Sequence, residues 1–361
     1  MDYADVKFNP ESLSERKLLI LKAVVRDFIR SDQPVGSVSI VKNYLPEVSS
    51  ATVRNELAAL EGMGLIFQPH TSAGRIPTTA GYRIFINSLM EKKRLEAAEM
   101  IEIQNAMQQP AFRMGNILRD VTEVLSRITS TASLALSPRL SRAVIKAVRL
   151  LRLDSFNLVL IVFAEGDIVK HSHIKLEIPI GEELSARLST ALSREFSGVR
   201  MEDISEDSFI KIMSAFSSSP ELVGKVLRLI IRAVEESAEV GVTLSGAEYI
   251  FDFKSLSGTD EAKQLYRMLS SGEEIGKIAS KAKKDGVSVI LGDETGDKRL
   301  SSLAVFIGRY APDDTSVLAA VAPENCDYEK ICAALEYTCR HMMRLNRPGG
   351  GNKLILRRRG Y

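Results

Sequence analysis

The run Val48-Ser49-Ser50-Ala51-Thr52-Val53-Arg54-Asn55 gathers hydroxyls, a guanidinium and a carboxamide at a point where a helix should begin. These are the groups that reading a DNA major groove requires. Arginine matches the acceptor edge of guanine and asparagine the mixed edge of adenine, while small neighbours allow close approach. A Ser or Thr helix start adds free N–H groups that can hold a phosphate. Further on, His70, Thr71, Ser72 and Arg75 supply phosphate or minor-groove contacts, with Gly74 permitting tight approach. The same residues also fit a plainer reading. Ser-Ser-Ala-Thr is an ordinary helix N-terminus, and Arg54 with Glu56 and Glu61 could form a solvated face.

The elements around this run explain how it would be presented. Ser12-Leu13-Ser14-Glu15 has capping-box spacing, and Leu18, Leu21, Val25, Phe28 and Ile29 then mark one apolar face ending near Ser31. Residues 32–36 read as a turn, 37–45 as a second helix stopped by Pro46, and 51–63 as a third. Ser49 or Ser50 would cap the third, and Gly62 and Gly64 would close it. At about 100° per residue, Val53, Leu57 and Leu60 share the inward arc. Ala51, Arg54, Asn55, Ala58 and Gly62 face outward, with Thr52 on the flank. Residues 65–68 and 76–78 are short extended pieces around a polar connection. Helix, helix, helix, hairpin is the order of a winged helix-turn-helix.

Helical patterning then runs from Thr78 through Tyr82, Phe85 and Leu89 towards Pro110. A continuous helix of about 30 residues would extend about 45 Å, a strut between domains. A helix is expected over 112–130, followed by an antiparallel meander of strands at 148–155, 158–164 and 168–175. Helices follow at 182–196, 207–216 and 221–237. In the last, Val223, Val226, Leu227, Ile230, Ile231 and Val234 make a wide apolar stripe that predicts a dimer contact. Strands are expected at 249–253, 287–291, 303–307 and 317–321, with helices at 260–283 and 327–345. The chain is therefore α+β and multidomain. Two arrangements fit: an α/β domain interrupted by a mostly helical insert, or two consecutive domains.

Charge balance conceals an uneven distribution. The 361 residues hold 48 Lys and Arg against 46 Asp and Glu. Residues 1–90 are nearly neutral, with ten bases and nine acids, whereas Arg340 to Tyr361 carries seven bases and no acid. That end is linker-like, Pro348-Gly-Gly-Gly-Asn-Lys, and reads as a flexible basic tail. A composition with 45% hydrophobic and 26% charged residues excludes a fibrous or disordered chain. The longest apolar run, Leu158 to Ala164, is seven residues, too short to span a bilayer. Met-Asp-Tyr-Ala-Asp does not resemble a signal peptide, so a cytoplasmic location is expected. Three cysteines between Cys326 and Cys339 are no disulfide framework. His171-x-His173 has strand spacing that metals can use but lacks a third ligand, and Cys332, Cys339 and His341 lack zinc spacing. No nucleophile elbow, phosphate-binding loop or His-Glu-x-x-His pair occurs. No catalytic residue, cofactor or metal is expected.

Pro34-Val-Gly-Ser37, Val48 to Leu57, Leu60-Glu-Gly-Met-Gly-Leu-Ile66 and Gln68-Pro-His-Thr-Ser-Ala-Gly-Arg-Ile-Pro-Thr78, followed by Gly81-Tyr82-Arg83, resemble the HrcA family of bacterial heat-inducible transcription repressors. The likeness is dense over residues 12–90 and follows the family's domain order along the whole length. It implies a winged helix over 1–90, a linker helix over 91–111, and a GAF-like domain in two parts, 112–180 and 246–345. An inserted dimerisation domain would occupy 181–245, while the basic tail, 346–361, lies outside the family's pattern. It further implies a dimeric repressor of chaperone genes that binds an inverted-repeat operator, CIRCE, in double-stranded DNA. A chaperonin would sustain its active fold, and heat would release the genes by occupying that chaperonin. The alternative is a ligand-gated regulator sensing a small molecule through the GAF-like domain. Where relatives carry a Gly-Pro run followed by Tyr, this chain has Val321-Ala-Pro-Glu-Asn-Cys-Asp-Tyr328, a departure from the pattern.

Overall fold

The hydroxyl that starts the first helix, α1 (Glu15–Ser31), belongs to Ser14, which accepts the Lys17 N–H at 3.3 Å. The computed structural model describes residues 13–71, 73–107, 114–137, 143–165, 168–238, 241–253, 256, 258–283, 285–312 and 315–345. The expected caps at Ser12 and the basic tail at 346–361 lie outside them. Helix α1 ends at Asp32 in the left-handed region, followed by α2 (Ser37–Asn43) and α3 (Ser50–Gly62). A hairpin of β1 (Ile66–Phe67) and β2 (Ile76–Pro77) comes next, with Ile66 opposite Pro77. Ile20, Leu21, Val24, Ile40, Val53, Leu60 and Leu65 are fully buried between these elements. Asp27 of α1 ties α2 down by accepting the Ser39 hydroxyl at 3.0 Å and the Tyr44 hydroxyl at 2.7 Å. Burial, and then Asp27, pushes the Tyr44 phenol up to about 12.

The expected continuous strut is broken. Helix α4 (Thr79–Ile84) runs into a π-helical turn at Phe85–Leu89, the backbone becomes extended at Met90, and α5 (Ala97–Ala106) starts anew. Lateral anchors explain the interruption. The Glu91 carboxylate pairs with Lys22 at 2.6 Å and Arg26 at 3.2 Å, its N–H donates to Glu329, Lys93 pairs with Asp327, and Leu95 is buried. These ties hold the segment extended against its helical propensity.

The remaining elements follow in chain order. They are α6 (Met114–Thr129), β3 (Ala132–Leu136), β4 (Ile145–Arg152), β5 (Asn157–Ala164), β6 (Ile168–Lys175), α7 (Glu182–Phe196), α8 (Glu206–Ala215) and α9 (Pro220–Ala238). After them come β7 (Val242–Ser245), α10 (Glu248–Phe251), α11 (Thr259–Leu269), α12 (Gly272–Ala279), β8 (Val287–Leu291), α13 (Gly292–Thr295), β9 (Leu303–Arg309), β10 (Val317–Pro323) and α14 (Tyr328–Leu345). A five-stranded sheet has the order β7-β3-β10-β9-β8, and its β9 is buried at every residue. Chain contacts divide the described residues into two compact units, 136–242 with 114–118 and the rest.

Two expectations change here. Residues 248–251 form a helical turn instead of a strand, because Gly246 turns the chain at φ +69° and the Tyr249 N–H returns to its carbonyl at 3.1 Å. The long helix over 260–283 is two helices, the second capped by Ser271. Strands β3 and β7 had no sequence expectation at all.

In the 136–242 unit, the β4-β5-β6 meander is antiparallel as expected. Its inner face, Val148, Leu150, Leu158, Leu160, Val162 and Ile174, packs in one core with Leu188, Leu192 and Phe196 of α7 and with Val223, Val226, Leu227 and Ile230 of α9. The boundary expected at residue 180 therefore falls inside one core: a sheet with an apolar face needs a cover, and the helices that follow supply it. The α9 stripe that predicted a dimer contact is covered from within, leaving Ile231 exposed, and the Val234 side chain lies outside the described residues.

Candidate nucleic-acid interface

Helix α3 presents its start much as the sequence implies. Ser49 is the N-cap, accepting the Thr52 N–H at 3.1 Å and sharing a hydrogen bond with the Thr52 hydroxyl at 2.9 Å. The Ser50 hydroxyl lies 2.9 Å from that of Ser37 at the start of α2, so the two helix starts touch. Val53, Leu57 and Leu60 are buried, whereas Ala51, Arg54, Asn55 and Ala58 are exposed. Arg54 makes one long hydrogen bond, Nε to the Ser37 hydroxyl at 3.4 Å. Among the described residues it has no ion-pair partner.

The hairpin is organised differently from expectation. His70 and Thr71 are exposed at its tip, and Ser72 lies outside the described residues. Arg75 is turned inward to Glu61, with Nε 3.0 Å and a terminal nitrogen 2.8 Å from Oε2. Gly74 does permit a tight approach, but to the chain's own turn: a Cβ there would lie 2.5 Å from the Val35 carbonyl. Glu56 is likewise no solvated acid, since it pairs with Lys17 at 3.0 Å. Sequence reasoning missed Glu61 and Gln68 as organising residues. The Gln68 amide nitrogen donates to the Thr71 and Ala73 carbonyls at 2.9 and 2.8 Å, holding the loop shut.

The other chemically capable side chains lie on other elements. His171 and His173 share the exposed face of β6. Burial pushes the Cys332 and Cys339 thiols up to about 12, away from nucleophilic use. Among the described residues no helix is long and apolar enough to cross a membrane.

A family model for the HrcA protein C terminal domain matches residues 115–332, more than half of the chain. The chain belongs to the HrcA family. Among HrcA relatives, the heat-inducible transcription repressor HrcA of Clostridioides difficile (strain 630) is 29% identical over 330 residues, covering 90% of this chain and 97% of the relative. That of Clostridium perfringens (strain 13 / Type A) is 28% identical over 327 residues, covering 90% and 96%. A crystal structure of a hypothetical protein at 2.2 Å resolution shares the fold with a TM-score of 0.67 at 24% identity, covering 92% of this chain and 98% of that one. The HrcA model begins after α5, so it does not extend to α3 and the hairpin.

Proposed function

We propose that this chain is a heat-inducible transcription repressor that reads double-stranded DNA through a winged helix-turn-helix, with α3 as recognition helix and β1-β2 as wing. The observation that carries this reading is the outward α3 start, where Ser49, Ser50, Thr52, Arg54 and Asn55 are gathered. The names of its full-length relatives support it. The five-stranded sheet with α6 and α14 reads as the GAF-like domain in two parts, and 136–242 as the inserted dimerisation domain. A dimer on the inverted-repeat CIRCE operator and support by a chaperonin complete the reading. A gel shift with an inverted-repeat chaperone promoter tests it, and absence of a retarded band even with chaperonin present would count against it. Arg54→Ala should weaken operator binding about 5- to 150-fold, the worth of about 1–3 kcal/mol for a base-reading pair. Its unfolding midpoint should stay where it was, because Arg54 is exposed and its hydrogen bond is long.

The dimer needs a surface other than the α9 stripe. The outer face of the meander offers one: Val159, Ile161 and Phe163 alternate outward along the central strand, and Leu151, opposite Val159, is 49% exposed. A second copy laid on this face would bury an apolar stripe flanked by polar edge residues. Ile161→Glu should convert a dimer into a monomer at micromolar concentration, as read by sedimentation. A dimer that survives would move the interface elsewhere.

A further inference from the structure

We propose that Glu61 and Arg75 form a latch that sets the hairpin against α3, so that Arg75 serves DNA binding by positioning the wing and not by touching a phosphate. This rests on the DNA-binding reading above. The two ends of the hairpin loop converge on one carboxylate. Glu61 Oε1 accepts the Gln68 backbone N–H at 3.0 Å, and Oε2 receives the Arg75 guanidinium at 3.0 and 2.8 Å. Glu61 stands in the last turn of α3, the helix whose first turn presents Arg54 and Asn55. The recognition helix thus holds the wing through its own far end.

Two further ties leave Arg75 little freedom to swing outward. Its backbone exchanges both hydrogen bonds with Val35, N–H to O at 2.8 Å and O to N–H at 2.9 Å. Its neighbour Gly74 is packed so closely on the Val35 carbonyl that a Cβ would lie 2.5 Å away. The side chain itself is only 18% exposed, against 34% for Glu61. An arginine meant for a phosphate would be expected to keep its charge uncompensated, since each such contact works by releasing counterions. Here the charge is already matched, whereas Arg54 at the start of α3 is exposed and reaches only a hydroxyl, that of Ser37 at 3.4 Å, among the described residues.

The two roles predict opposite signs for one substitution. If Arg75 contacted a phosphate, Glu61→Gln would remove an acid beside DNA and tighten binding. Under the latch it should weaken operator binding about 10-fold. Arg75→Gln should weaken it by a similar factor, and the double variant should be no weaker than either single, because both break one pair. The salt dependence of log affinity should keep the wild-type slope in all three variants. The measurement is operator titration by the full-length chain between 50 and 200 mM salt, alongside amide exchange of the unliganded hairpin, which should quicken at the Gln68 and Thr71 to Arg75 amides in each variant. Tighter binding by Glu61→Gln, or a slope reduced by about 0.9 in Arg75→Gln, would overturn the latch. A wild type that retards no operator overturns the DNA-binding reading itself, and the latch's role with it.

Discussion

Gly81→Ala is expected to lower the stability of the N-terminal helices and their hairpin by about 3 kcal/mol, the upper part of the range for forcing an atom into a packed site. A Cβ at Gly81 would lie 2.1 Å from the Leu65 carbonyl oxygen and 3.5 Å from the Leu21 side chain. Neither neighbour can easily withdraw. The Leu65 carbonyl accepts the Thr78 N–H at 3.1 Å, and Thr78 in turn caps Gly81 and donates to the Gly64 carbonyl at 2.7 Å. The strain therefore reaches β1, the start of α4 and the turn closing α3 together. Gly62→Ala is the control, since a Cβ there meets nothing within 4 Å. It should be neutral or slightly stabilising, alanine being the better helix former. Denaturant unfolding of both variants checks the contrast, and an unchanged midpoint for Gly81→Ala would mean that α4 can slide away from Leu65.

Glu324→Gln should stabilise the protein by about 2–3 kcal/mol at pH 8 and not at all near pH 4.5. Glu324 follows β10, and its Oε1 is buried without a hydrogen-bond partner among the described residues. The Gly292 N–H and the Thr79 hydroxyl meet the carboxyl, while Asp293 and Glu294 face it with like charge. Burial first, then Asp293, pushes Glu324 up to about 7 from the 4.5 of a free glutamate. The folded state therefore binds a proton that the unfolded chain has already lost between those two values. Stability falls as pH rises through that window and levels off above it. At about 1.4 kcal/mol per unit the loss comes to about 3 kcal/mol, somewhat less for residual solvent contact. Glutamine keeps the shape and cannot ionise. The wild-type-minus-variant difference, followed by denaturation from pH 4.5 to 8, isolates this group from all others, and a difference independent of pH would assign the proton elsewhere.

These two sites also show what a sequence can and cannot carry. The three helices, the hairpin and the meander were legible because each rests on a local period and a local stop signal: Val53, Leu57 and Leu60 define an inward arc whatever surrounds them. The exposed face of α3, with Ala51, Arg54, Asn55 and Ala58, follows from the same arc. The apolar stripe of α9 was equally visible, yet amphipathicity says only that a face is covered, not by what. Val226 and Ile230 turned out to meet their own chain's meander. The Arg75–Glu61 pair was hidden for a related reason, since Glu61 sits on a different element and only the folded hairpin brings the two to 3.0 Å. Strands β3 and β7 were invisible because they are five and four residues long and pair only with distant segments.

That last pairing bears on how the chain reaches its native state at all. Strand β3 ends at Leu136, yet its neighbours in the sheet begin at Val242 and Val317. A ribosome releasing this chain in order exposes Ala132–Leu136, buried at every residue in the finished fold, long before either neighbour exists. High contact order of this kind slows folding, and an unpaired apolar strand left waiting is an invitation to aggregate. The insertion between β3 and β7 lengthens the wait while keeping its own ends adjacent, Ser137 bonding to the Gly241 carbonyl at 2.9 Å. The sheet can therefore close around Ala132–Leu136 only once Val317–Pro323, near the far end of the chain, has been made.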